Sequence, residues 1–377
     1  MVAGLILTLL TSACRRSDES QAPSQGVWPD GKAWRLVETA RIGTVEGTGP
    51  EVFGSVVDVT LDRMGRVWIA DGQQQNIRVF DERGHYIRTI GRKGAGPAEF
   101  RSLSGMQWES ENRLWVLDGG NARFAIYDTA GALVETRPRA SSMTTSPWPG
   151  RFDSQGRLYD VDGEFLPDGS IRTSVIRSTS GGRSQDTFQI PLFNEEVFEF
   201  TRGDARNQNV TQVNVPFTGT QFWALDPEGN VWIANTAHYR IERHPFTGGR
   251  TKEVVQREHR AVPVTRAERD RRLDDYRDFV RQGGRIDLSR IPDSYPALHG
   301  FLFDDEAHLW VSPVTRKQEG RVLDVFEPDG SYLGRVALPT AARSSPKFIR
   351  DNRMLVVERD SLDVQSIVVL RVEKPAI

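Results

Sequence analysis

A single cysteine, Cys14, stands among 377 residues, so the folded part of the chain is held together without disulfides. Lysine and arginine (49) nearly balance aspartate and glutamate (51), which leaves no field of one sign to attract nucleic acid or an anionic membrane. The sustained apolar stretch at residues 1–13 falls short of the ~20 residues that span a bilayer. Catalytic signatures are missing too: there is no Gly-x-Ser-x-Gly elbow, no phosphate-binding P-loop and no His-Glu-x-x-His. What the chain does have is turn chemistry. Its 34 glycines and 20 prolines are dispersed rather than clustered, which suits many tight turns and not disorder.

One phrase recurs: an apolar strand, a tight polar turn, then an aromatic strand ending in a carboxylate or its equivalent. It reads Val-Thr-Leu-Asp-Arg-Met-Gly-Arg-Val-Trp-Ile-Ala-Asp at 59–71 and returns at 106–118, 151–162, 224–235 and 302–313. Taking Trp68 as reference, the equivalent position falls at Trp115, Tyr159, Trp232, Trp310 and Leu355. The intervals of 47, 44 and 45 residues each match one four-stranded blade of a propeller. The intervals of 73 and 78 residues are one blade plus an insertion each, which makes six blades. Ring closure is also legible. Ile90-Gly91 leads to Gly96-Pro97-Ala98-Glu99-Phe100, and Ile42-Gly43 leads to Gly49-Pro50-Glu51-Val52-Phe53. Residues 35–42 are therefore an outer strand without its own blade, and they complete the sixth blade at 347–372, hiding the edges an open sheet would expose.

With these repeats the chain resembles a six-bladed β-propeller of the NHL-repeat, TolB-like type. The expected fold is all-β, six four-stranded antiparallel blades closed by an N-terminal strand, with one helical insertion. The run Leu10-Thr11-Ser12-Ala13-Cys14 resembles a bacterial lipobox. That resemblance implies a signal peptide at 1–13, lipidation of Cys14, a flexible polar tether at 14–33 and the propeller at 34–373. Arg15, not aspartate, follows the cysteine, which implies an outer-membrane lipoprotein of the cell envelope, monomeric and in contact with the membrane only through its lipid.

Both insertions, about 191–220 and 256–297, follow an outer strand and so emerge on one face, the top. The first is polar without a clean period and reads as a long loop. In the second, Thr265-Arg266-Ala267-Glu268 is a capping box that starts a helix over 266–282, stopped by Gly283-Gly284. Leu273, Tyr276 and Val280 form its narrow apolar stripe, and the expectation is a cap that narrows the channel mouth.

The carboxylates ending the second strand, Asp71, Asp118 and Asp162, with Asn235 in the fourth blade, could ring the channel with oxygen ligands. Arginines follow three of them (Arg78, Arg123, Arg240), however, and a repeated motif points to a repeated structural tie. Metal-dependent lyases that share this fold gather histidines at the channel. Here Asn235, His238 and His299 are the residues placed to hold a divalent cation, Ca²⁺ or Zn²⁺, and that site is the alternative reading, a lactonase or lyase. The preferred reading comes from the variable ring Val57, Ser104, Trp148, Gln221, His299 and Ser344, eleven residues before each reference position. Within it Ser104, Trp148, Gln221 and His299 offer a stacking face and hydrogen bonds. They suit a small polar ligand or protein partner of the cell envelope bound at the top face, with no nucleic acid and no cofactor required.

Overall fold

A computed structural model describes residues 26–28, 32–44, 47–141, 143, 145–166, 170–179, 181–204, 207–339 and 344–375. Cys14 and the segments expected as signal peptide and as most of the tether lie outside them. Six four-stranded antiparallel sheets follow one another around a ring. Their inner strands, A, are Val56–Leu61, Leu103–Ser110, Arg151–Phe152, Gln221–Leu225, Leu298–Phe303 and Pro346–Arg350 in blades one to six. Strand D of blade six is Arg35–Ile42, which pairs antiparallel with Gln365–Glu373 and closes the ring as expected.

Burial explains why the chain adopts this form. Six apolar clusters fill the six boundaries between blades. Leu61, Val67 and Ile69 of blade one, for example, pack with Leu355, Val357 and Ile367 of blade six. All six reference residues, Trp68 to Leu355, are buried at these boundaries. The five aromatic ones are pinned by a device that recurs with the repeat. The carboxylate opening the A–B turn accepts the aromatic N–H or O–H six residues on: Asp62 from Trp68 Nε1 (3.0 Å), Asp226 from Trp232 (2.8 Å), Asp304 from Trp310 (3.0 Å) and Asp153 from Tyr159 (3.0 Å). In blade two Glu109 takes the part for Trp115 (2.9 Å). The same carboxylates tie the residue four on: Arg66, Arg157, Asn230 or His308. A buried indole N–H is thus satisfied by a buried carboxylate that also holds its own turn.

The tether ends sooner than expected. Val27 N and Trp28 N donate to Tyr332 O and Leu333 O of blade five (3.3 and 3.2 Å), and Trp28 packs on Trp34 at 5.2 Å. The bare Cα of Gly334 makes room, since a Cβ there would lie 2.2 Å from the Trp28 ring.

The insertions depart further from expectation. The first is a β-hairpin, Val197–Asp204 paired with Asn207–Asn214. The second holds two helices, α1 (Arg266–Asp274) and α2 (Arg277–Arg281). The Thr265–Glu268 capping box is present. The chain breaks at Tyr276 because that turn puts both Tyr276 and Phe279 against the hairpin, packed with Phe198, Val215 and Ile291. Val280, expected on the apolar stripe, is exposed. The helices therefore bury their stripe on the other insertion, with Tyr276 Oη donating to Asn214 O at 2.6 Å and Phe200 against Phe279 at 5.2 Å. The two insertions make a side lobe with its own small core, and no residue of α1 or α2 lines the central channel.

Candidate functional site

Strand A runs down the hub of every blade, so its side chains line the central channel. The upper part is a recess of about 920 Å³ with contributions from all six blades, among them Val57 and Asp58, Gln107, Trp148, Phe222 and Trp223, His299, Ser344 and Lys347. A lower recess of about 480 Å³ shares Gln107, Trp223, Leu302 and Lys347 with it, so the two run into one another. One wall is apolar: Trp148 and Pro149 of blade three, Phe222 and Trp223 of blade four, Phe301 and Leu302 of blade five. The other is polar and cationic, with Arg321, Arg359, Lys347, His299 and Ser344.

The residues expected from the variable ring divide between these surroundings. His299, with Val57 and Ser344, lines the recess. Burial, and then the nearby Arg321 charge, hold the His299 pKa below its ordinary value, so the imidazole is neutral near pH 7. Trp148 forms part of the wall, but it is only 2% exposed and its ring is committed to the boundary with blade two. Its Nε1 donates to Asp160 Oδ1 (2.8 Å), a carboxylate also gripped by Arg139 through two bonds of 2.7 Å. It is not a free stacking face. Ser104 is buried and donates to Ser102 O (3.1 Å), away from the recess. Gln221 turns outward and donates to Pro191 O (3.0 Å), in a separate recess beside the hairpin.

Asn235, His238 and His299, the residues proposed around a metal, do not line one cavity. Asn235 is exposed and accepts from Ala237 N (3.0 Å), while His238 faces an outer recess with Tyr239 and His259. Among the described residues no three His, Cys, Asp or Glu side chains gather as a metal site. The carboxylates Asp71 and Asp118 are fully buried and accept from Gly54 and Ser55, and from Arg101 and Ser102. Arg78 and Arg123 stand 3.4 and 3.3 Å from them and donate to carbonyls of the preceding Gly-Pro loops, Pro50 O and Glu99 O among them. This is the hairpin tie the repeat suggests. In blade four Arg240 turns to Glu242 instead.

Sequence reasoning missed Asp58, Gln107, Trp223, Arg321 and Lys347. A polar residue in an otherwise apolar inner strand was the available signal for Asp58, Gln107 and Lys347. Arg321 lies in a B–C loop with no counterpart in the other blades. Asp58 accepts from Met106 N (2.7 Å) and Val59 N (2.8 Å), yet burial in the channel wall outweighs these bonds and pushes its pKa up to about 7. The sign follows from linkage. The stabilising share of this group is fully present below its unfolded value near 3.8 and is lost as pH rises through about 7. Wild type is therefore expected to lose stability relative to Asp58→Asn between about pH 4 and about pH 7, read as the difference between urea midpoints. A difference that stays flat over that range would contradict the assignment.

The comparisons with known proteins agree on the fold. The family DUF5128, described as a 6-bladed beta-propeller, matches residues 52–144. No curated protein is matched by the sequence. Among solved structures, the chain is similar to a protein of Bacteroides fragilis described as exported, at 12% identity and a TM-score of 0.50, covering 94% of this chain and 98% of that one. It is also similar to virginiamycin B lyase of Staphylococcus aureus (11%, 0.44, covering 90% and 99%). A third similar structure is a gluconolactonase of Xanthomonas campestris (13%, 0.42, covering 82% and 83%). The first of these supports the propeller fold, and at 12% identity it says nothing about activity.

Proposed function

We propose that the protein is a lipid-anchored propeller of the bacterial cell envelope, of the NHL type, that works as a binding module and takes a small polar ligand in the upper channel. One observation carries this reading: a recess of about 920 Å³, walled by all six blades, with an aromatic side facing a cationic one. That size and mixture match preformed small-molecule sites. The envelope location rests on the run Leu10–Cys14. The alternative, a lactonase or lyase using a channel-bound Ca²⁺ or Zn²⁺, needs Asn235, His238 and His299 on one ion, but His299 lines the channel and His238 an outer recess.

The test is thermal unfolding of the protein against a panel of sugars, short peptides, organic acids and Ca²⁺ or Zn²⁺, the last two with EDTA reversal. A ligand that binds only the folded state raises the midpoint by mass action. Ser345→Trp, which puts an indole into the recess, is expected to abolish the shift given by an organic compound while leaving the circular dichroism unchanged. A shift that survives Ser345→Trp would place binding elsewhere. An EDTA-reversible shift lost on replacing Asn235 or His299 would favour the enzyme.

A further inference from the structure

We infer that the upper channel recognises a small organic acid with an apolar or aromatic body, its carboxylate held by Arg321 and His299 and its body laid on Phe222 and Trp223. The inference rests on the channel being the ligand site, and the distribution of charge and apolar surface within the recess carries it. Arg321 is half-buried and lines the recess, yet its side chain makes no hydrogen bond or ion pair to any described residue. A guanidinium carries five N–H donors in a planar fork that matches a carboxylate. Its neighbour Glu358 offsets part of its charge but accepts no hydrogen bond from it. Glu358 is buried and its Oε1 accepts from Ser344 N at 2.7 Å.

The recess holds two further cations, Lys347 and Arg359. Lys347 lies near enough to Asp58 to act on its pKa, and Arg359 pairs with Asp363 at 2.7 Å. Among the three, Arg321 carries a planar donor fork without a side-chain bond to a described residue, and it stands beside His299. His299 stands close enough for the Arg321 charge to lower its pKa, and as a neutral imidazole it offers one N–H beside the guanidinium.

The apolar half of the site begins immediately next to it. Gly300 follows His299, and a Cβ at Gly300 would come within 2.8 Å of the Phe222 ring. The absent side chain lets Phe222 lie beside His299, against Phe301 at 5.0 Å. Trp223 extends the surface down to the narrower part shared with Leu302. An acid group and an apolar body thus find complementary partners on adjoining strands, Gln221–Leu225 and Leu298–Phe303.

The experiment measures thermal unfolding and calorimetric binding of the full chain with phenylacetate and 4-phenylbutyrate. Their uncharged amides and acetate, which lacks the body, are the comparison. The acids are expected to raise the midpoint, and the amides and acetate to bind about tenfold more weakly or worse, the scale of a charge-assisted hydrogen bond. Arg321→Gln should erase the preference for acid over amide, whereas Arg316→Gln, in a separate recess, should leave it intact. Amides binding as well as acids, or Arg321→Gln binding acids as wild type does, would overturn the inference. If Ser345→Trp still abolished that binding, the channel would stand as a ligand site for neutral compounds. Neutral compounds from the wider panel stabilising the protein while no acid does would overturn the inference alone. No stabilisation by any compound would overturn the channel reading with it.

Discussion

A chain that begins after Ile42 is expected to lose cooperative unfolding and to run as oligomers or aggregates in size-exclusion chromatography. The Arg35–Ile42 strand pairs along Gln365–Glu373 from Arg35 opposite Glu373 to Ile42 opposite Ile367. Without it the third strand of blade six presents a bare row of N–H and C=O groups, the kind of edge that recruits other chains. The loss also opens two interblade clusters at once, since Leu36 belongs to the one between blades five and six and Ala40 and Ile42 to the one between blades six and one. A peptide spanning residues 33–44, added in trans, should restore a sharp transition. A truncated chain that unfolds as a monomer at the wild-type midpoint would show that the ring does not depend on this closure.

Trp310→Ala is expected to cost about 3–5 kcal/mol, the range for removing a large buried aromatic side chain. Trp310 is fully buried, packs among Leu323, Val325, Met354 and Val368 across the boundary of blades five and six, and touches Trp34 at 5.7 Å. Through Trp34 it also supports the docked Val27–Trp28 segment and Lys374, whose ammonium lies 4.6 Å from the Trp34 ring centroid. Trp310→Phe retains most of the packing but leaves Asp304 without one of its donors. It should cost about 1–2 kcal/mol, as expected for one lost buried hydrogen bond. Urea midpoints give both values. Equal costs for the two variants would mean that the Asp304 bond, rather than the packing, holds this boundary.

The fold was legible because its signal repeats. Trp68, Trp115, Tyr159, Trp232, Trp310 and Leu355 recur at blade spacing, and each sits where the repeat places it. The closing strand was legible because Ile42-Gly43 and Ile90-Gly91 open the same phrase. The lobe was less so. Phe198 and Phe200 alternate with polar residues, but only the partner strand with Val213 makes that alternation a hairpin. Val280 was misplaced because helical spacing assumes an unbroken helix, and the break at Tyr276 answers to packing.

The site was legible only in part. Ring position alone says that His299 and Trp148 lie near the hub. It does not say that Asp160 captures the Trp148 indole or that Gln221 turns out to Pro191. Arg321 could not be found by comparing blades, because a residue that occurs once has no repeat to mark it.

Hydrogen–deuterium exchange of the protein with and without the most stabilising compound tests the central claim, that the channel is where this molecule binds. The account predicts slowed exchange in the inner strands Gln221–Leu225, Leu298–Phe303 and Pro346–Arg350 and in the loop at Arg321, with the Val197–Asn214 hairpin unchanged. Protection confined to the hairpin, to α1 and α2, or to the outer strands would contradict it and move the binding surface to the lobe or the rim.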